Sequence, residues 1–281
     1  MPTSPDTVHT ADVVISAEQL RGSLDSERPV VILEIRREPA TGEQVSKGGL
    51  PGAHSVTLTT ELVGPPSEGT GNFPLPTEEQ IQDAVRRWGI DHDSLVVVYS
   101  REAPALASRA WWTLRWAGVP DVRYLDGGLA AWTAAGGELS TAPPAVREGS
   151  FTVVLGGLPV LDTDAAGELA RSGVLLDARD GASYSGDPSG GHIPGALSLP
   201  AARNLDADGL LASAEHLRAV YRAVGLDDHA RWGAYCGGGT AATLDVLALA
   251  RIGVTAALYP GSFSAWSSDP ERPVATGEQP G

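Results

Sequence analysis

The chain carries the same passage twice. Val30-Val31-Ile32-Leu33-Glu34-Ile35-Arg36 returns 143 positions later as Gly173-Val174-Leu175-Leu176-Asp177-Ala178-Arg179. Leu50-Pro51-Gly52-Ala53 returns at the same spacing as Ile193-Pro194-Gly195-Ala196. Val97-Val98-Tyr99-Ser100 matches Gly233-Ala234-Tyr235-Cys236 at 136, and the run from Tyr124 to Trp132 matches the run from Leu258 to Trp266 at 134. The order holds while the spacing drifts, as expected of a duplicated unit whose loops have since gained or lost residues. A length of 281 residues accommodates two ordinary domains. The predicted division is a first domain over 1–140, a linker over 141–150 and a second domain over 151–281. Pro143 and Pro144 make the linker extended and fairly stiff.

Within each half, short β-rich runs alternate with amphipathic stretches. Residues 30–35, 95–99, 174–177 and 232–235 read as strands. Residues 77–88 open with Thr77-Glu78-Glu79-Gln80, a capping box, and place Ile81, Ala84, Val85 and Trp88 at helical spacing. Further helices are predicted over 107–117, near 214–224 and over 241–252. Trp111, Trp112 and Trp116 read as core and packing residues. Strand–helix alternation predicts an α/β fold: two tandem units, each a mainly parallel sheet flanked by helices on both faces. The Gly- and Pro-rich stretch 64–76 fits either a cover over a cleft or a plain surface loop.

Ligands of such sheets bind beyond the carboxyl ends of strands, where the sole cysteine falls. It stands in Tyr235-Cys236-Gly237-Gly238-Gly239-Thr240-Ala241-Ala242, between a strand and the apolar run that begins at Leu244. Glycines let amides turn inward, and a following helix adds its dipole, so the loop is a cradle for negative charge. A cysteine there is expected to react as a thiolate.

A lone cysteine excludes an intramolecular disulfide and favours a reducing, cytoplasmic setting. Residues 1–11 carry no signal-peptide pattern, and no apolar run approaches the ~20 residues of a membrane span. The net charge of −15 argues against nucleic acid and anionic membranes as partners. The six histidines lack metal-ligand spacing, so neither a metal nor a cofactor is expected.

Asp177-Ala178-Arg179, Gly191-His192-Ile193-Pro194-Gly195-Ala196, Tyr235-Cys236-Gly237, Tyr259-Pro260-Gly261-Ser262 with Trp266, and Ser108-Arg109-Ala110-Trp111-Trp112 together resemble the tandem-domain rhodanese family, the thiosulfate and 3-mercaptopyruvate sulfurtransferases. The resemblance implies that Cys236 takes sulfur from a small-molecule donor as a persulfide and passes it to a thiophilic acceptor: cyanide, a thiol or a protein. It implies a first domain without a nucleophile, and Ser100 stands at the matching position. It implies that the amides of Gly237, Gly238, Gly239, Thr240, Ala241 and Ala242 hold the thiolate and its persulfide.

Mercaptopyruvate-type relatives usually read Cys-Gly-Ser-Gly-Val-Thr-Ala. Here Gly238 replaces the serine, and Thr240 stands one place before the family's threonine. The family's donor-clamping arginines are also altered. Ser183 occupies the first such position, the 186–190 segment is too short for the second, and Arg179 is the basic residue left near the loop. Arg179 and Ser183 therefore complete the expected substrate-binding set, although an ion pair at a strand end suits Arg179 equally. His192, in a Pro-Gly turn, reads as structural, and Asp177 as a brace for the loop. Two alternatives are a diverged relative with an altered substrate in a dedicated pathway and a non-catalytic binding module. A cysteine phosphatase is disfavoured, because no arginine follows Cys236 before Arg251.

Overall fold

The computed structural model describes residues 13–43, 47–188, 190–225 and 230–281. Residues 1–11, read above for targeting signals, and Ser189 of the 186–190 segment lie outside these ranges.

The first half runs β1 (Val14–Ile15), α1 (Ala17–Leu24), β2 (Val30–Arg36), β3 (His54–Thr57), α2 (Leu58–Glu61), α3 (Glu78–Arg87), β4 (Leu95–Tyr99), α4 (Pro104–Trp116), β5 (Val122–Leu125) and α5 (Gly128–Ala134). The second half runs α6 (Thr163–Ser172), β6 (Val174–Asp177), α7 (Gly181–Ser185), β7 (Leu197–Ser198), a 3-10 turn (Ala201–Asn204), α8 (Ala214–Arg222), β8 (Trp232–Tyr235), α9 (Ala242–Arg251), β9 (Ala256–Leu258) and α10 (Ser262–Trp266).

The sheets have orders β1-β5-β4-β2-β3 and β7-β6-β8-β9, with every pairing parallel. These are one order read from opposite ends. A parallel bridge from Val160 to Leu258 takes the place of β1 in the second sheet. Each sheet is covered on both faces, so its central strands are apolar throughout: every residue of β4 and of β8 is buried. The predicted strands 95–99, 174–177 and 232–235 coincide with β4, β6 and β8.

Helix α4 starts before the predicted 107, at Pro104, where a missing N–H is harmless in the first turn. Helix α3 is capped as predicted: Thr77 Oγ1 accepts from Gln80 N–H, and Gln80 Oε1 accepts from Thr77 N–H.

The two halves share one core. Helix α4 packs on α9, and a single apolar cluster runs from Leu33, Val98 and Trp112 in the first half to Leu176, Ala234 and Leu247 in the second. Satellite clusters cover each sheet's other face, Ile15, Ile32 and Trp132 on one and Leu169, Tyr259 and Trp266 on the other. Trp111, Trp112 and Trp116 are buried, and the last two stack with centroids 6.0 Å apart. The chain also stays on the first half beyond the expected linker. Gly149 N–H donates to Arg86 O, Phe151 N–H to Ile90 O and Val154 N–H to Ala117 O.

Asp245 on α9 is fully buried. Its Oδ1 accepts from Asn204 Nδ2, and its Oδ2 has no partner among the described residues. Burial pushes this carboxyl well above the usual carboxylate range, while the Asn204 bond opposes the shift. A folded value above the unfolded one gives stability that is complete below the unfolded value and lost as pH rises through the folded one. Asp245→Asn is therefore expected to raise the melting temperature at pH 7 by about 3 °C or more. The gain should shrink as pH falls towards 4, and melts across that range check it.

Candidate active site

Cys236 follows β8 directly and is 3% exposed. Its Sγ accepts the Gly239 N–H at 3.1 Å, so the loop folds an amide back onto sulfur. Its own N–H donates to Ser262 Oγ at 3.1 Å. The Ser262 hydroxyl lies 4.0 Å from Sγ and 3.0 Å from Tyr259 O, which it can serve as donor. Ser262 holds φ at 54°, a left-handed conformation uncommon for a residue with a side chain. The neighbouring turn is tied down as well, with Phe263 N–H on Cys236 O and Ser264 N–H on Gly237 O. Helix α9 begins at Ala242, so the amides of Thr240, Ala241 and Ala242 lie at its positive end.

The first half completes this loop. Arg109, on α4, is fully buried and donates to Gly239 O at 2.7 Å and to Phe73 O and Pro74 O at 3.1 and 3.4 Å. No carboxylate pairs with it among the described residues, and its Nε has no partner. Burial pushes its guanidinium down to about 10, and the negative charge of Cys236 works against that shift. A buried cation without a carboxylate therefore lies one residue away from Cys236 Sγ, linked through Gly239. Residues 71–73 close over the same place. Asn72 N–H donates to Ser264 Oγ, and a Cβ at Gly238 would stand 3.1 Å from Asn72 Cβ and Phe73 Cδ2. Within the 64–76 stretch residues 71–73 lie against the cysteine loop, while 65–69 are exposed. Ser108 Oγ and Thr243 Oγ1 add a contact of 2.9 Å between α4 and α9.

The expected donor-binding side chains have other work. Arg179 forks onto Asp177 through Nε and Nη2, donates to Gly191 O at 2.6 Å and lies 4.1 Å over the Phe263 ring. The ion pair at a strand end weighed for it from the sequence is present, with its carboxylate partner two residues earlier. Ser183 lies in the first turn of α7 instead, where its N–H and Oγ both donate to the N-cap residue Asp180. Asp177 also accepts from Tyr235 Oη at 2.6 Å, and Tyr235 Oη in turn accepts Ile193 N–H, which makes Asp177 the expected loop brace. His192 is buried, stacked on Tyr184 with both ring nitrogens against carbonyl oxygens of Tyr184 and Pro280. Thr240 Oγ1 is buried with no partner among the described residues.

The model of the rhodanese-like domain matches residues 16–135 and again 162–269. The chain belongs to the rhodanese family. A Mycobacterium tuberculosis protein provisionally named thiosulfate sulfurtransferase SseB is 42% identical, over 94% of this chain and 97% of its own length. The 3-mercaptopyruvate sulfurtransferase of Escherichia coli is 31% identical, over 83% of this chain and 85% of its own. The crystal structure of SseA from Escherichia coli, whose title concerns the rhodanese fold and the 3-mercaptopyruvate sulfotransferase mechanism, superposes with a TM-score of 0.75 at 27% identity, covering 89% of this chain and 98% of that one.

In this rhodanese the three loop glycines differ in what they permit. A Cβ at Gly237 meets nothing within 4 Å, whereas Gly239 has φ +85° and its Cβ would stand 2.3 Å from Pro260 O. Gly237→Ala is expected to keep turnover within about threefold, and Gly239→Ala to lose at least about tenfold as the amide on sulfur moves. Steady-state rates beside thermal melts check the contrast. Arg109 was missing from the expected site. Its signal was an arginine inside the apolar run Ala107–Trp112, where a helix buried all round has no place for a solvated charge.

Proposed function

We propose that this sulfurtransferase moves sulfane sulfur from thiosulfate or 3-mercaptopyruvate, through a persulfide on Cys236, to a thiophilic acceptor such as cyanide, a thiol or a protein. The observation that carries the reading is Cys236 Sγ at a strand end, holding the Gly239 N–H beside the buried Arg109 cation. The thiolate attacks the outer sulfur of thiosulfate or the thiol sulfur of mercaptopyruvate. From thiosulfate the S–S bond breaks and its electron pair leaves on sulfite. From mercaptopyruvate the C–S bond breaks, and the pair leaves as the enolate of pyruvate, which water protonates. Negative charge then sits one atom further out, on the persulfide, and the amides over 237–242, of which Gly239 N–H already contacts Sγ, are the donors assigned to hold it. The acceptor attacks that outer sulfur, and the Cys236 thiolate departs. Transfer through a covalent intermediate gives ping-pong kinetics.

Thr240 Oγ1, buried without a hydrogen-bond partner among the described residues, is a polar group free to meet the donor's anionic end. Room for a protein acceptor is offered by a cleft of about 580 Å³ lined by Ser67, Glu68, Asn72, Ser264 and Asp269. Asn72 and Ser264 are also contacts of the cysteine loop. A single thiol that must stay reduced suits a cytoplasmic setting.

The test is intact mass after incubation with each donor. A gain of about 32 Da, one sulfur atom, that disappears with cyanide and is absent from Cys236→Ser supports the reading. No gain with either donor at millimolar concentration sinks it.

A further inference from the structure

The duplication left a second, differently charged copy of the brace around Tyr235. In the first half, Tyr99 Oη donates to Glu34 Oε2 at 2.7 Å and accepts Leu50 N–H, matching Tyr235, Asp177 and Ile193 in the second half. Three exchanges change what surrounds it. Arg101 stands at the position of Gly237, Glu34 at that of Asp177, and Gly49 at that of His192. The longer Glu34 side chain serves two guanidinium groups, with Oε1 2.5 Å from Arg36 Nη2 and 2.6 Å from Arg101 Nε. Where the second half packs the His192 ring on Tyr184, Gly49 has no side chain, and a Cβ there would stand 2.8 Å from Glu34 Oε2 and 3.0 Å from Tyr99 Oη, so the glycine lets the Glu34–Arg101 pair close in.

The result is a cavity of about 150 Å³ at the carboxyl ends of β2 and β4, with Ser55 at its rim and the 140–144 stretch across it. Two arginines share one carboxylate there, so the cavity carries a net positive charge in a chain of net charge −15. Arg36 is 3% exposed, and its Nε and Nη1 have no hydrogen-bond partner among the described residues. Buried N–H groups on a charged side chain are costly to leave unmade, and an anion accepting from them would remove that cost. At roughly 30 Å³ per water-sized unit the volume suits about five heavy atoms.

We propose that this first-half cavity binds a small anion, a sulfur oxyanion or a short carboxylate, through Arg36 and Arg101. It is distinct from the Cys236 loop and does not depend on sulfur transfer.

Calorimetric titration of the Cys236→Ser protein with sodium sulfate, thiosulfate and pyruvate tests this, at ionic strength balanced with chloride. One site with a dissociation constant of about 1 mM or tighter is expected for at least one of them. The sulfate and pyruvate arms separate an oxyanion from a carboxylate. Ser55→Asp places a like charge at the exposed rim, and it should weaken the site at least about tenfold, as should Arg36→Gln. Should Arg36→Gln fail to fold, Ser55→Asp decides alone. Binding no stronger than that of chloride, or binding unchanged in Ser55→Asp, overturns the proposal. Since no turnover is read, neither result bears on the persulfide reading of Cys236.

Discussion

Cys236→Ser is expected to lower sulfur transfer from either donor by at least about 10⁴-fold while shifting the melting temperature by no more than about 2 °C. The chemistry predicts the loss. A serine hydroxyl at neutral pH offers neither a soft anion to attack sulfane sulfur nor a leaving group able to return it. The fold predicts the unchanged melt, because the first half already houses a serine at the matching place. Ser100 Oγ accepts the N–H groups of Glu102 and Ala103 at 3.1 and 3.4 Å. A hydroxyl at 236 would take the Gly239 amide in the same manner. Turnover, intact mass and thermal melts on one preparation test both halves of the claim. Retained activity would move the nucleophile elsewhere, and a collapsed melt would make the loss uninformative about chemistry.

The second large effect belongs to Arg109. Arg109→Met removes the cation beside Cys236 and leaves the carbonyls of Gly239 and Phe73 without this donor, while Pro74 O keeps the Gly64 N–H. Each buried acceptor left unmade costs about 1–3 kcal/mol, so a total of about 3 kcal/mol should lower the melting temperature by about 6–12 °C. Transfer is expected to fall at least about 10²-fold, since the loop amide on sulfur loses its support and the thiolate loses its counter-charge. Arg109→Lys retains the charge but has no planar fork to span three carbonyls, and should recover about tenfold of that loss. Alkylation of Cys236 by iodoacetamide at pH 7 gives a readout free of donor binding. It should slow about tenfold in Arg109→Met and less in Arg109→Lys. Full reactivity in both would show Arg109 to be packing alone.

Much of this architecture could be read from the residues. Strands β4, β6 and β8 were legible to the residue because they are buried on both faces and end at polar or glycine positions. Strands β1 and β7, two residues each, are too short to show any period. The cysteine loop was legible because glycine is a backbone statement written in the sequence. Arg109 was not, because its meaning lies in a bond to Gly239, 130 positions away and across the seam between the copies. Arg179 is the converse case: its partner Asp177 lies two residues away, so the ion pair at a strand end was readable from the sequence.

The shared core of α4 and α9 has a thermodynamic consequence. Chains made by joining two copies of a domain ordinarily unfold in two steps, each copy with its own transition. Here one apolar cluster and one buried guanidinium belong to both copies at once. Neither half can open without exposing the other's interior. Calorimetry should accordingly show a single peak whose calorimetric and van't Hoff enthalpies agree. In the language of cooperativity, the duplicated gene encodes one folding unit, and the copy that lacks a cysteine is kept as half of its partner's core.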